Sequence, residues 1–225
     1  MKEFENEEKK FTNNLTELVF VLDKSGSMAG LENDTVGGFN AMINQQKEEE
    51  GKAYVSTILF STYSTVLHDR VDVNEVLPMT KKDYRVGGCT ALLDAIGDAI
   101  KHVANIHKYG RREDVPQRTI FVITTDGMEN ASQKYTSGQI KEMISRQEKE
   151  FGWEFLFVAD NIDAVETAER IGIKKERATN YNVKEDTELM FNEIGNTIAS
   201  YRKTGKIEEN WAKNLQGNEK KDKTN

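Results

Sequence analysis

The sequence predicts an α/β fold built on a parallel-dominated sheet with one antiparallel edge strand. Three observations carry that reading. Four short apolar runs, Leu18–Leu22, Ala53–Phe60, Thr119–Thr124 and Trp153–Ala159, are rich in Val, Ile and Phe and mostly do not alternate with polar residues. Strands buried on both faces read this way, and parallel sheets bury both faces. Stretches with helical periodicity lie between the later runs, the arrangement of βαβ units. Finally, Ser64–Val73 follows the second run after only a few polar residues. No crossover helix fits in that gap, so the segment is expected to fold back as an antiparallel edge strand.

The helices follow in order. Leu92, Ile96, Ala99, Ile100 and Val103 form an apolar stripe within Ala91–His107, the pattern of a helix with one buried face. Ile140, Met143 and Ile144 mark the next, opened by Thr136 and Gln139 at capping-box spacing. Ile162, Val165, Ala168 and Ile171 mark a third, and Leu189, Ile194, Ile198 and Tyr201 a last one. The ends are dense in Lys, Glu and Asn. Residues 1–11 read as a flexible segment, 12–203 as the domain and 204–225 as a polar, disordered tail. Trp211 is the exception in that tail and could dock a short segment onto the body.

The bulk properties narrow the function. The 225 residues suit one domain, with 37% hydrophobic residues, 31% charged residues and a formal net charge of -7. An acidic balance weighs against nucleic-acid binding, which needs a basic footprint. No apolar run is long enough to span a membrane. A single cysteine, Cys89, and an N-terminus without the apolar core of a signal peptide lead to an expected cytoplasmic location.

The chemistry gathers at strand ends. The run VFVLDKSGSM closes in Asp23 and then offers Ser25 and Ser27; TIFVITTD closes in Asp126 before Gly127. Ligands of open α/β sheets bind outside the carboxyl ends of the strands. Thr90, in GGCTALLDAI, stands at the start of the strongest helical stripe, where a Thr can cap. Two carboxylates would repel an anion. With three hydroxyls and no cationic cluster they describe a hard-cation site, Mg²⁺ first, with Mn²⁺ or Ca²⁺ also admitted. The candidate metal residues are Asp23, Ser25, Ser27, Thr90 and Asp126. Gly26 and Gly127 are expected to let their loops turn tightly. Lys24, Met28, Gly88 and Met128 are expected to rim the site and touch a partner.

Asp23-x-Ser25-x-Ser27, Thr90 and Asp126-Gly127, in this order on an α/β chain, resemble the von Willebrand factor A-type domain and its metal-ion-dependent adhesion site (MIDAS). The resemblance covers roughly residues 12–203. It implies a doubly wound, Rossmann-like sheet with helices on both faces and a Mg²⁺-type ion at the top edge. It implies a protein partner whose Asp or Glu carboxylate completes the coordination, and a last helix, Leu189–Tyr201, of the kind that shifts in some relatives. The expected branch is the intracellular one, whose members work in multi-protein assemblies, some containing ring ATPases.

Other readings compete. Asp23 and Ser25 could simply close a turn. Asp23 could be the nucleophile of a Mg²⁺-dependent hydrolase or phosphotransferase, although Ser25 stands where such sites place a second carboxylate. A bound ion could merely staple the loops. The histidines, His68, His102 and His107, form no HExxH pattern and are expected on the surface. Cys89 is expected to pack, because sulfur suits Mg²⁺ poorly. Asp94 and Asp98, one turn apart, are expected on a solvated helix face, with a role bracing the site from behind as the alternative.

Overall fold

The computed structural model describes residues 14–160 and 163–218. The expectations for residues 1–11, for the tail from residue 219 onward and for Ile162 lie outside them. The described residues form a six-stranded sheet ordered β3-β2-β1-β4-β5-β6. Its strands are β1 (Leu15–Asp23), β2 (Lys52–Phe60), β3 (Ser64–Asp72), β4 (Arg118–Thr125), β5 (Glu154–Ala159) and β6 (Ala178–Asn180). The helices are α1 (Glu32–Lys47), α2 (Leu92–Tyr109), α3 (Ser137–Phe151), α4 (Ala164–Arg170), α5 (Val183–Thr204) and α6 (Lys213–Asn218). All sheet pairings are parallel except β2 with β3, whose antiparallel register slips near Thr57. Among the described residues no helix is long and apolar enough to cross a membrane.

The central strand shows why its sequence does not alternate. Every residue of β1 is buried. Leu18, Phe20 and Leu22 join the core beneath α1, α5 and α6, while Val19 and Val21 join the core beneath α2, α3 and α4. A period of two divides one apolar run between two hydrophobic layers. The sheet is therefore doubly wound, with helices on both faces. Chain order reverses direction between β1 and β4, so a crevice opens beyond their carboxyl ends.

Several local expectations hold. Thr136 caps α3, accepting from Gln139 N at 3.3 Å, while Gln139 Oε1 accepts from Thr136 N at 2.9 Å. Ile194, Ile198 and Tyr201 of α5 are buried.

Other expectations change. In α4 the buried residues are Ala164 and Ala168, with Ile171 just beyond, whereas Val165 is 37% exposed. His68 is buried, not superficial; its ring bridges Thr57 Oγ1 and the Leu77 carbonyl at 3.0 Å each. His107 is also largely buried and lies 3.2 Å from Glu17 Oε2, while His102 stays at the surface beside Asp69. His68 stacks with Phe39 and His107 meets Trp153 edge-on, neighbours that a linear reading does not register. Cys89 is exposed, because the loop that carries it stands at the rim.

Helix α1 had no signal in the sequence. It carries a glycine pair at its centre, and a Cβ on Gly38 would meet Phe191 Cδ2 at 2.4 Å. The glycine admits the close crossing of α1 and α5. Arg202 of α5 then closes the far end of α1, donating to the carbonyls of Gln46 at 2.6 Å and Gly51 at 2.9 Å. The chain past residue 203 also packs. Ile207, Trp211, Ala212 and Leu215 are buried, and Trp211 Nε1 donates to the Glu176 carbonyl at 3.0 Å.

Candidate metal centre

Asp23 ends β1 and Asp126 follows β4, so the two carboxylates flank the crevice between those neighbouring strands. Asp23 is 1% exposed and Asp126 6%. Asp23 Oδ1 accepts from Ser25 N at 2.7 Å, which closes the turn that presents Ser25 and Ser27. Its Oδ2 accepts from Thr125 Oγ1 at 2.5 Å. The turn-closing role of Asp23 is thus real and coexists with its place in the site.

The hydroxyls converge on the same place. Ser25 Oγ and Ser27 Oγ are 3.0 Å apart, and Ser27 Oγ donates to Asp126 Oδ1 at 2.5 Å. A Cβ built on Gly127 would meet Thr90 Oγ1 at 2.9 Å and Ser27 Oγ at 3.2 Å. The three loops therefore meet at one point. Gly127 serves there by lacking a side chain; its backbone is not in the left-handed region. Gly88 does need that region, with φ +85, and a Cβ there would meet Thr62 Oγ1 at 2.7 Å.

Thr90 does not cap α2 as the sequence suggested, since the N-cap position is Ala91. Glu129 caps from a distant loop, its Oε2 accepting from Leu93 N at 2.9 Å. Beside it, Asn130 Oδ1 accepts from Thr90 N at 2.9 Å and Asn130 N donates to Thr90 O at 3.0 Å. Asp94 holds the rest of this loop, accepting from the backbone N–H groups of Gln133, Lys134 and Tyr135. Asp98 pairs with Lys134. Both aspartates thus brace the loop that holds Thr90, the alternative to a bare solvated face.

The rim residues divide. Met128 is 69% exposed. Lys24 is half-buried, and its backbone ties the loop to Phe60 O and Gly87 N. Gly88 is exposed and accepts through its carbonyl from Gly26 N at 3.0 Å. Met28 points the other way. It is 5% exposed and belongs to the core with Leu22 and Leu31, because the short helical turn Gly26–Met28 rotates it inward.

Burial raises the carboxyl pKa of both acids. For Asp23 it outweighs the lowering hydrogen bonds from Thr125 and Ser25. For Asp126 it outweighs the Ser27 hydrogen bond, and the nearby Asp23 and Asp160 charges push the same way. Two buried acids raised together are destabilised as a pair of anions, which is the electrostatic demand for a cation. The donor set also fits by size. Adjacent ligands of an octahedral ion with bonds of about 2.1 Å stand about 3.0 Å apart, matching the Ser25–Ser27 spacing.

Sequence reasoning missed four neighbours. Asp160 directly follows β5 and is 8% exposed, so the strand-end rule that found Asp126 would have found it too. Thr125 adjoins Asp126 and orients Asp23. Tyr84 donates from its hydroxyl to the Asp23 carbonyl, and burial raises its pKa. Tyr181, also buried, feels the charges of Asp160 and Asp126. No local pattern marks either tyrosine.

The von Willebrand factor type A domain family profile matches residues 17–195. The chain belongs to this family. Its solved structural neighbours share the von Willebrand A fold at low identity. Proximal thread matrix protein 1 from the mussel byssus aligns with TM-score 0.54 and 15% identity over 82% of this chain and 46% of its own. A form of that protein with a zinc-occupied MIDAS motif aligns with TM-score 0.51 and 16% identity over 82% of this chain and 46% of its own. Manganese-loaded TRAP from Plasmodium vivax aligns with TM-score 0.54 and 16% identity over 80% of this chain and 73% of its own. The chain thus spans under half of the byssal protein it matches. No curated protein sequence matches. Von Willebrand A domains are typically non-catalytic binding modules.

Proposed function

We propose that this von Willebrand A domain is a metal-dependent protein-binding module. Asp23, Ser25, Ser27, Thr90 and Asp126 would hold a divalent cation, Mg²⁺ first, with Mn²⁺ and Ca²⁺ as alternatives. The cation supplies Lewis acidity toward a partner's Asp or Glu carboxylate. The observation that carries this reading is the convergence of Ser27 Oγ and Thr90 Oγ1 on Gly127, beside Asp126. Hydroxyls leave the site less negative than a carboxylate cage, so an added acid group is favoured there. Exposed Met128 offers an apolar contact beside it.

The enzymatic alternative is disfavoured by geometry. Both Asp23 oxygens accept hydrogen bonds and the residue is 1% exposed, a poor arrangement for in-line attack. Cys89, exposed and unpaired, suits a reducing, cytoplasmic setting, and an assembly containing an ATPase is the proposed context.

The test is direct. Millimolar Mg²⁺ should raise the melting temperature by several degrees, as about 100-fold saturation adds about 2.7 kcal/mol. Asp23→Ala should abolish that rise. Affinity capture in Mg²⁺ should retain a partner that EDTA releases. A shift without any EDTA-sensitive partner would leave only a structural ion. Phosphate-ester turnover lost on Asp23→Ala would instead establish the enzyme.

A further inference from the structure

The opposite edge of the sheet carries a second concavity. Between the C-terminal turns of α2 and α3 lies a cleft of about 390 Å³. Its floor is aromatic. Trp153 is 4% exposed and stacks on Phe121 at 5.3 Å with an interplanar angle of 16°. His107 meets the same indole edge-on at 5.3 Å. Phe151 stands on the rim with 59% of its surface exposed, an aromatic ring left in water.

Two polar groups are placed among these rings. His107 is held by Glu17, a carboxylate with no exposure that also accepts from Arg70 Nε at 2.8 Å. That contact fixes the imidazole against the cleft. Gln147 lines the cleft and is 7% exposed, yet its Oε1 has no hydrogen-bond partner. A buried amide oxygen left unpaired is costly, so a side-chain shift that lets it accept from a ligand donor would relieve that cost.

Charge selects the ligand. Lys108 and Arg146 line the cleft, and no Asp or Glu does. The chain as a whole carries -7, so this is a local reversal of sign. Arg146 also pairs with Glu150 at 3.0 Å, but both side chains are mostly exposed and such pairs are weak. The lining residues include no Ser, Thr or Cys nucleophile. The volume sits near the lower end of ligand-site sizes, enough for one or two rings.

We propose that the α2–α3 cleft binds a small aromatic carboxylate, its ring lying against Trp153 and Phe151 and its acid group between Lys108 and Arg146. The site is independent of the metal centre, which lies at the far ends of the strands. The probe is 4-nitrobenzoate, which quenches indole emission, compared with neutral 4-nitrobenzamide. Trp211→Phe in the full chain leaves Trp153 as the only indole. Saturable quenching is expected, with the amide about tenfold weaker and with no change on adding EDTA. The double charge reversal Lys108→Glu, Arg146→Glu should weaken the acid about tenfold while circular dichroism stays unchanged. Phe151→Ala, at another exposed position, should weaken acid and amide alike. Linear quenching up to about 10 mM, equal affinity for acid and amide, or indifference to the charge reversal would each overturn the proposal.

Discussion

Asp126 and Gly127 show how single residues divide the work at the proposed metal centre. The Asp126 carboxyl, ordinarily near 3.8, is raised by burial, so the folded state holds its proton more tightly than the unfolded state. Without a cation, stability therefore falls as pH rises from that ordinary value through the raised one. A bound cation would take the place of the proton. Asp126→Asn should then raise the metal-free melting temperature at pH 7 by about 2–4 °C and cancel the response to Mg²⁺. Scanning fluorimetry at pH 4.5 and 7, with and without Mg²⁺, checks both halves. A destabilised variant that still responds to Mg²⁺ would refute the electrostatic account. Gly127→Ala tests space instead of charge. Its Cβ would stand 2.9 Å from Thr90 Oγ1, so Mg²⁺ affinity should drop about tenfold by calorimetry while the metal-free fold persists.

At the scale of elements, the position of Thr90 depends on the loop after β4. Glu129 caps α2 through Leu93 N and also accepts from the N–H groups of Ala131 and Ser132. The loop and the helix are thus one unit. Glu129→Ala should cost about 1–2 kcal/mol in metal-free urea unfolding and should weaken Mg²⁺ binding without removing a ligand. Loss of stability with unchanged Mg²⁺ affinity would separate the cap from the site. This coupling could not be read in advance. The strand-end carboxylates announce themselves locally, but Glu129 and Leu93 are far apart in the chain and nothing in either segment names the other.

For the whole molecule, the apolar layer under α1 and α5 is completed by the chain beyond residue 203. Ile207 and Leu215 enter that core, and Arg177 Nη2 donates to the Ile207 carbonyl at 3.2 Å. Truncation after Thr204 should lower the melting temperature by about 5 °C or more, since each buried apolar side chain contributes about 1.5–3 kcal/mol. An unchanged melting curve would show that this segment is dispensable. The same layer holds Arg202, 4% exposed, whose bonds to the end of α1 fasten α5 in the position seen here.

The sequence by itself determined the long strands, the antiparallel edge and the α3 cap, and it named the residues proposed to hold a metal. Buried parallel strands must be continuous apolar runs, and an acid that ends such a run has only the sheet edge to occupy. Tertiary structure alone decided the rest: α1, visible only once Gly38 meets Phe191; the inward turn of Met28; the burial of His68; the exposure of Cys89; and the loop that sets Thr90. Each of these is fixed by a neighbour distant in the chain, and local composition carries no information about which distant residue will arrive.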